Sequence, residues 1–451
     1  MTQCAAVDLL ALAHDVLDQA KGTGADDADV LLLEGTDFSV TVRKGEVETL
    51  TDAGSRGLGL RVFVGRRTAS VYTSDFSGPA LRALVQTAVD LARATGEDAA
   101  AGLPDECPPL EPVDLELFDP ALAALPTPDR IALARRAEEA ALKAPGVTNS
   151  FGASYGSGET LLALANTRGF AGSYRRTSAS LSVVPVAERD GAMERDHWYT
   201  AASFLADLEA PEAVGQKAAE RTLRRLGARK IPTCEVPVVF DPETAQELLT
   251  ALFDAVSGDA IFRDSSFLKD RLGERVASPL ITLVDDGRRR RGLGARPFDG
   301  EGLCTRRNVP VEEGVLRYYL CDTYSARKLG TRPTASARRG LGGDPGVGSM
   351  DLCFAAGATP PEEIVGGVER GLLVTDLMGF GVDLVSGDYS QGAFGYWIEN
   401  GRVTHPVHEI TIAGNLAQML KDVDAVGNDL VFRGSSAAPT LRIRHMTVSG
   451  S

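Results

Sequence analysis

Residues 30–73 read VLLLEGTDFSVTVRKGEVETLTDAGSRGLGLRVFVGRRTASVYT and contain several short strand-like runs in succession. The runs are Val30–Leu33, Phe38–Val42, Val47–Thr51, Leu58–Val64 and Thr68–Thr73. They are rich in β-branched and apolar residues, and glycine-containing turns at residues 43–46 (RKGE) and 65–67 (GRR) separate some of them as hairpins. This stretch therefore predicts an antiparallel meander.

Helical patterns lie on both sides of the meander. A helix of roughly Ala6–Lys21 precedes it, and a second helix of about Gly78–Ala94 follows it, each with apolar residues at helical spacing on one face. A helix–meander–helix unit is an α+β layer, in which the helices cover one face of the sheet and leave the other free for packing. Glycine, with 48 of 451 residues, is more frequent than the usual ~7%, which also favours a fold with many tight turns.

A chain of 451 residues is too long for one ordinary core, so we expect several domains. The stretch 96–128 is rich in Ala, Pro and acidic residues and is interpreted as a linker, and residues 228–232 (ARKIP) indicate a second boundary. The predicted fold class is α+β: an N-terminal antiparallel sheet with helices (1–110), a middle α/β unit (111–231) and a β-rich C-terminal domain (232–451).

The charge of the chain excludes several classes of partner. The net charge is −15 and the sequence pI is about 5.0, so the field of the protein repels phosphate backbones and anionic lipid. No apolar run approaches the ~20 residues of a membrane span, and the N-terminal stretch lacks the basic start of a secretion signal. We therefore predict a cytoplasmic protein that binds neither nucleic acid nor membranes.

Six cysteines are far apart and form no C-x-x-C pair. They are Cys4, Cys107, Cys234, Cys304, Cys321 and Cys353. A disulfide framework or a zinc ribbon needs closer spacing, so we expect reduced, packed thiols.

Three sequence patterns resemble functional motifs but fit structural roles better. Gly152–Gly156 matches G-x-S-x-G, yet a strand-like run follows it where a nucleophile elbow needs a helix, so we interpret it as a hairpin turn. The glycine clusters at 54–59 and 340–346 lack the G-K-[ST] of a phosphate loop and are predicted to be turns or mobile loops. The basic run Arg288–Arg291 is expected to be a solvated loop or a subunit contact rather than a nucleic-acid site.

Histidines are few, and only one group of them is clustered. The cluster is His405-Pro-Val-His-Glu409, in an apparent strand; the other histidines are His14, His197 and His445. Residues three apart on a strand point to opposite faces, and residues four apart are ~13 Å apart. Zinc ligands must each lie about 2.1 Å from one ion, so this cluster alone is not a chelate.

A series of motifs resembles the TldD/TldE (PmbA) peptidase family, and in particular its TldE (PmbA) branch. The matching stretches occur in consistent order along nearly the whole chain: Arg43–Glu48, Gly191–Asp196, Ser325–Gly330, Gly387–Gly392, Trp397–Gly401, Glu409–Asn415 and Val426–Asp429. The resemblance implies a cytosolic heterodimer that cleaves unfolded or modified peptides. In that family the TldD-like subunit holds zinc on an H-E-x-x-x-H helix with a later cysteine, so zinc is expected in the partner subunit.

This sequence departs from the TldD pattern at every ligand. Alignment of residues 255–259 with the stretch after the second histidine places Leu249, Thr250 and Asp254 at the His, Glu and His positions. The segment Phe432–Pro439 has no cysteine. Imidazoles, a thiolate and a glutamate base are what a zinc peptidase of this type requires, so we predict no catalytic residue, no metal ligand and no cofactor in this chain.

In the family the substrate is thought to enter a closed chamber between the subunits and to lie there as an added strand. The polar, glycine-rich and aromatic residues near 390 are candidates for its lining: Asp388, Tyr389, Gln391, Gly392, Tyr396 and Trp397. They could equally be turn and core residues. Two other functions stay open: a homodimeric peptide-binding or modulator protein without peptidase activity, and an autonomous metal-dependent hydrolase that uses His405, His408 or Glu409.

Overall fold

The protein is described by a computed structural model, which covers residues 8–379 and 381–450. Cys4 and the first two residues of the predicted N-terminal helix lie outside the described residues. The first half of the chain contains the following elements: α1 (Leu9–Thr23), β1 (Asp27–Arg43), β2 (Glu46–Val64), β3 (Arg67–Thr73), α2 (Gly78–Ala94), α3 (Pro120–Ala123), α4 (Thr127–Leu142), β4 (Val147–Asn166), β5 (Ala171–Arg189), β6 (Ala192–Arg195), β7 (Trp198–Ala202), a 3-10 turn (Leu205–Asp207) and α5 (Pro211–Arg225).

Local chemistry explains where these elements begin and end. Asp8 caps α1 by accepting from the backbone N–H groups of Leu10 and Ala11, and Gly24 ends the helix in the left-handed conformation. The turn between β1 and β2 needs positive φ at two successive positions, which Lys44 (54°) and Gly45 (80°) supply. The turn predicted at residues 43–46 is therefore present.

One antiparallel sheet joins the first two predicted domains. Its strand order is β3-β2-β1-β4-β5-β6, and β7 also pairs with β5. Helices α1 and α2 pack on one part of it, around Leu32 and Leu60, and helices α4 and α5 pack on another part, around Val40 and Leu181. The predicted antiparallel N-terminal sheet with helices is confirmed; the division into domains at 110 and 231 stays a prediction, and the sheet runs across the first of these positions.

Two long strands were predicted as separate short runs. The runs Val30–Leu33 and Phe38–Val42 form one strand, β1. The runs Val47–Thr51 and Leu58–Val64 likewise form one strand, β2.

The G-x-S-x-G stretch is not a hairpin turn, because it lies inside β4. Gly152, with φ of 109°, forms an irregularity there between Ser150 and Ala153, so a local break in the strand replaces the expected reversal.

The second half of the chain contains β8 (Cys234–Phe240), α6 (Pro242–Ala255), α7 (Gly258–Phe262), β9 (Leu283–Asp286), β10 (Arg307–Glu312), β11 (Val315–Leu316), α8 (Thr323–Leu329), β12 (Ala337–Arg338), β13 (Gly346–Val347), β14 (Asp351–Phe354), α9 (Pro361–Gly366), β15 (Arg370–Met378), β16 (Asp388–Glu399), β17 (Arg402–Asn415), α10 (Leu416–Lys421), β18 (Val423–Val426), β19 (Ser436–Ala437) and β20 (Leu441–Ser449). The predicted β-rich C-terminal region is confirmed.

The C-terminal strands form a ring and a smaller sheet. One sheet has the order β17-β16-β15-β8-β20-β18, and β17 also pairs with β20, which closes five of these strands on themselves. A second sheet has the order β11-β10-β9-β14-β19, and β12 pairs with β13. Helix α6 shares one large apolar core with strands of both sheets.

Two further observations concern the described residues. None of their helices is long and apolar enough to cross a membrane. Cys107, Cys234, Cys304, Cys321 and Cys353 are free thiols. Burial raises the pKa of Cys321 to about 12 and that of Cys353 to about 11, which makes both poor nucleophiles.

Candidate peptide-binding site around helix α6

Helix α6 carries the positions that align with the family's zinc ligands. Asp241 caps its first turn by accepting from the Thr244 N–H at 2.9 Å, and Pro242 occupies the first helical position. Leu249 is fully buried in the C-terminal core, whereas Thr250 and Asp254 are exposed. The three aligned positions therefore do not converge on one point of the surface.

The donor chemistry of these side chains does not suit a zinc ion. A leucine in the core has no ligand atom, and a threonine and one aspartate leave the set without imidazole or thiolate. No group of three or more His, Cys, Asp or Glu side chains comes together as a metal site within residues 8–379 and 381–450.

The polar side of α6 instead meets two of the predicted chamber residues. Gln391 Nε2 donates to Glu247 Oε2 at 2.5 Å, which links β16 to the middle of α6. Burial, and then the charge of Asp376, raises the pKa of Glu247. Burial raises the pKa of the Tyr389 phenol, and the nearby Glu247 carboxylate raises it further.

Two polar atoms at this contact have no hydrogen-bond partner among the described residues: the hydroxyl of Tyr389 and Oε1 of Gln391. Both side chains are almost completely buried, with 1% and 4% exposure. A buried polar atom without a partner costs free energy, but these two atoms are closed off from the surface, and Tyr389 belongs to the same apolar core as Trp397. Glu247 was missed by the sequence reasoning, although its position one turn before Thr250 on the same helix was a usable signal.

The other chamber candidates lie in different surroundings. Trp397 is in the hydrophobic core, and its Nε1 donates to Glu399 at 3.2 Å, so it is a core residue as the alternative interpretation held. Gly392 faces the Met378 backbone, which leaves little room for a side chain. Asp388 is exposed at the start of β16. Tyr396 is mostly buried, with the guanidinium of Arg224 4.7 Å above its ring.

Tyr396 also lines a cleft of about 650 Å³ between α5 and the start of α6. Arg221 crosses this cleft: it donates to Asp196 at 3.2 Å and to the Thr375 carbonyl at 3.1 Å. Arg433 lies 4.4 Å from the Trp198 ring and contacts Glu243 at 3.4 Å. The cleft is therefore lined by charges that are largely paired with each other.

The remaining sequence candidates do not add to this site. His405 Nδ1 lies 3.1 Å from the Thr404 hydroxyl, and Glu409 pairs with Lys230 at 2.7 Å, an interaction that lowers the pKa of Glu409. The run Arg288–Arg291 lies in a loop whose last two arginines are exposed, in agreement with the solvated-loop interpretation. These arginines bind acidic residues of the same chain: Arg288 pairs with Glu111, and Arg291 pairs with Glu116 and Asp207.

Family models cover most of the chain in three consecutive segments. They are described as PmbA/TldA metallopeptidase domain 1 (residues 28–92), the central domain (120–226) and the C-terminal domain (233–450). Fold and family models together define the class, a metallopeptidase-type protein.

Individual relatives give the same result. The metalloprotease PmbA of Escherichia coli O157:H7 is 38% identical over 437 residues, which are 96% of this chain and 94% of that protein. A metalloprotease TldD homolog of Haemophilus influenzae is 24% identical over 97% of this chain and 95% of its own length. A crystal structure from Bacteroides thetaiotaomicron, described as a modulator of DNA gyrase, superimposes with a TM-score of 0.91 at 32% identity and covers 99% of this chain and 100% of its own. The chain belongs to the PmbA/TldD metallopeptidase family, in its PmbA (TldE) branch.

Proposed function

We propose that this chain is the zinc-free subunit of a cytoplasmic heterodimeric metalloprotease, which pairs with a TldD-like catalytic subunit and completes a chamber for unfolded or modified peptides. The observation that carries the proposal is the set of residues that helix α6 has at the positions aligned with the zinc ligands. Leu249 fills a core position where the catalytic relatives are expected to hold a histidine, and Thr250 and Asp254 replace the base and the second histidine. Losing two imidazoles, the base and the thiolate together removes the hydrolytic chemistry from this chain.

The residues around α6 support a role in holding substrate. Glu247, Thr250 and Asp254 present two carboxylates and a hydroxyl on the accessible side of α6. Such groups bind the N–H and C=O groups that every peptide carries, whatever its sequence. This chemistry fits a subunit that binds many different unfolded chains.

The sheet edge at β2 supports the same role. Strand β3 pairs with β2 only over Leu58–Val64. The rest of β2, Glu46–Gly57, does not pair with β3 and forms an edge of the sheet. An extended peptide that adds to such an edge gains backbone hydrogen bonds without any sequence requirement.

The proposal predicts a stable complex with a TldD-like protein. A complex of this kind buries at least about 1,000 Å² of surface, so the two chains should elute together at micromolar concentration. The mixture should digest a flexible peptide, and replacement of Glu in the partner's H-E-x-x-x-H should abolish turnover. Size-exclusion chromatography and a fluorogenic peptide assay measure both results.

Two histidine variants distinguish the subunit model from the autonomous hydrolase. His405→Ala and His408→Ala in this chain should leave turnover within a few-fold, because no protonation chemistry is assigned to them. If the chains elute apart, or if folded and paired His408→Ala has no activity, the subunit model is wrong. A homodimer that binds peptides but ignores the TldD-like protein would favour the modulator function.

The isolated chain should contain no stoichiometric zinc and should not cleave peptides. The physical reason is that the α6 positions supply no imidazole or thiolate. Metal analysis of the purified chain, with a peptidase assay before and after chelation, measures this. About one zinc per chain, with activity lost on chelation, would establish the autonomous hydrolase instead.

A further inference from the structure

Three arginines from distant parts of the sequence share one junction between the N-terminal sheet and the C-terminal region: Arg176, Arg296 and Arg338. Arg176 lies on β5 and donates to the Leu293 carbonyl. Arg296 Nε donates to the Gly294 carbonyl at 3.2 Å, and Arg338 Nη1 donates to the Ser349 carbonyl at 2.9 Å. These carbonyls belong to one packed region, because a Cβ atom on Gly294 would lie 2.1 Å from the oxygen of Met350.

The three guanidinium groups are held in place but not neutralised. Within the part of the chain that the structure describes, none of them has a carboxylate at ion-pair distance. Burial and repulsion from Arg296 lower the pKa of Arg176, and the pKa of Arg338 is lowered by burial and by repulsion from both other arginines. Gathering like charges in a half-buried place is unfavourable unless an anion compensates them.

Two buried carboxyl groups lie behind the arginines without pairing with them. Asp285 accepts from the Met350 N–H at 2.6 Å, and Asp351 accepts from the Gly294 N–H at 2.9 Å. Burial raises the pKa of Asp285 to about 7 and that of Asp351 to about 6. At neutral pH these groups are partly protonated, so they compensate the arginines only in part.

A groove of about 440 Å³ begins beside this cluster, on the sheet face opposite α4 and α5. Leu293, whose carbonyl accepts from Arg176, is one of its walls, and Ser178 and Ser180 form part of its floor. Side chains two residues apart on a strand point to the same face, so Arg176, Ser178 and Ser180 lie in one row on β5. Ser39 and Thr51 add hydroxyls to the lining, and Asp37 adds a carboxylate.

We propose that Arg176, Arg296 and Arg338 form a carboxylate-binding subsite that holds an acidic group of an extended peptide lying along this groove. Guanidinium groups bind carboxylates with paired, charge-assisted hydrogen bonds, and serine and threonine hydroxyls both donate to and accept from peptide groups. The inference rests on the proposed function, in which the ligand is an unfolded peptide, and adds that peptides with a free carboxylate are preferred. The carboxylate can be an acidic side chain or the C-terminus of the peptide.

The test measures binding of labelled, unstructured peptides to the isolated full chain by fluorescence anisotropy. One blocked peptide carries glutamates, a second carries glutamines at the same positions, and a third is the glutamine peptide with a free C-terminal carboxylate. We expect the glutamate peptide to bind about tenfold more tightly than its glutamine counterpart, with an advantage that shrinks as salt is added. A gain for the third peptide alone would assign the subsite to C-termini, and gains for both would assign it to carboxylates generally.

Arg338→Met tests the cluster itself, because Arg338 is the most exposed of the three arginines and its loss disturbs the core least. We expect it to remove most of the glutamate advantage, Arg338→Lys to retain part of it, and neither to change binding of the glutamine peptide. Arg317→Met is the matched control, since Arg317 is a half-exposed arginine of the same region already paired with Glu312 at 3.2 Å.

Two results would overturn the inference: equal binding of all three peptides to the unmodified chain, or an Arg338→Met variant that keeps the full advantage of the carboxylate-bearing peptides. The first comparison needs no variant, so a folding defect cannot obscure it. The binding assay uses neither a partner nor peptidase activity. Failure to form a complex with a TldD-like protein would therefore contradict the proposed function without affecting the peptide-binding result.

Discussion

At the scale of single residues, the molecule contains two carboxyl groups whose pKa burial raises toward neutral pH. Asp285 and Asp351 come from the paired strands β9 and β14 and are completely buried. Each has one oxygen bound to a backbone N–H and one oxygen without a partner among the described residues. Their charged forms are therefore poorly stabilised, and stability should depend on pH through them.

The pKa of Asp285 is raised from 3.8 to about 7 on folding, mainly by burial. Because the folded state holds the proton more tightly, this group stabilises the fold most below its unfolded pKa, and that stability declines as pH rises from about 4 to about 7. Asp285→Asn cannot ionise, so the free energy of unfolding of the variant should improve relative to the parent by up to roughly 4 kcal/mol between pH 4 and 7.5. Urea unfolding at several pH values measures the difference.

Asp98 provides the contrast, because its pKa is lowered to about 2 by hydrogen bonds from the Ala100 N–H, Tyr324 and Lys328. Its contribution to stability is present above its unfolded pKa and is lost only as pH falls toward 2. Asp98→Asn should therefore lower stability by the same amount at pH 5 and at pH 7.5. A parallel decline of Asp285→Asn and its parent with pH would show that Asp285 does not titrate in this range.

At the scale of elements, the contact between α4 and α5 depends on a glycine. A Cβ atom at Gly215 would lie 2.2 Å from the Ala137 carbonyl oxygen and 2.9 Å from the Ala140 Cβ, so the backbones of the two helices approach closely there. The same helices cover the half of the sheet whose outer face forms the serine-lined groove. Their separation therefore affects the position of the groove floor.

Gly215→Ala should push α4 and α5 apart and reduce the free energy of unfolding by roughly 1–3 kcal/mol, the usual cost of overpacking. Gly22 is the matched control, because it lies in α1 and a Cβ atom there would meet nothing within 4 Å. Gly22→Ala should stabilise the protein by up to about 1 kcal/mol through helix propensity. Thermal unfolding measures both, and equal effects of the two changes would contradict the packing account.

At the scale of the whole molecule, a buried ion network ties the N-terminal sheet to the C-terminal region. Asp29 on β1 binds Arg61 on β2 at 2.6 Å and also binds Arg339, while Arg61 lies 3.8 Å from Glu301. Burial alone would raise the pKa of Asp29, but Arg339 and Arg61 outweigh it and hold that pKa below its ordinary value. The network therefore fixes how two distant parts of the chain meet, next to the arginine cluster at Arg338.

Asp29→Asn should cost about 3–5 kcal/mol of unfolding free energy, because it leaves two buried guanidinium groups without their carboxylate. The control is Glu212→Gln, which breaks the exposed 2.7 Å pair with Arg136 and should cost less than about 1 kcal/mol. Urea unfolding compares the two. If Asp29→Asn is as mild as Glu212→Gln, the network does not hold the two parts together.

The sequence by itself determined the elements whose signals are local. The apolar periodicity of α2 predicted its bounds, since side-chain spacing along a helix follows from its geometry. Turn chemistry at Lys44–Gly45 placed the first hairpin, and the ordered motifs identified the family. The replacement of ligand residues at Leu249, Thr250 and Asp254 could also be read directly, because it concerns residue types and not their positions in space.

Only the tertiary structure decided which distant residues meet. It united short runs into β1 and β2, joined the first and middle regions in one sheet, and assigned Gln391 to Glu247 but Trp397 to the core. It also brought together Arg176, Arg296 and Arg338, which no spacing rule connects. Strand pairing and domain contact are set by packing between residues far apart in the chain, and a periodic pattern carries information only about its own neighbours.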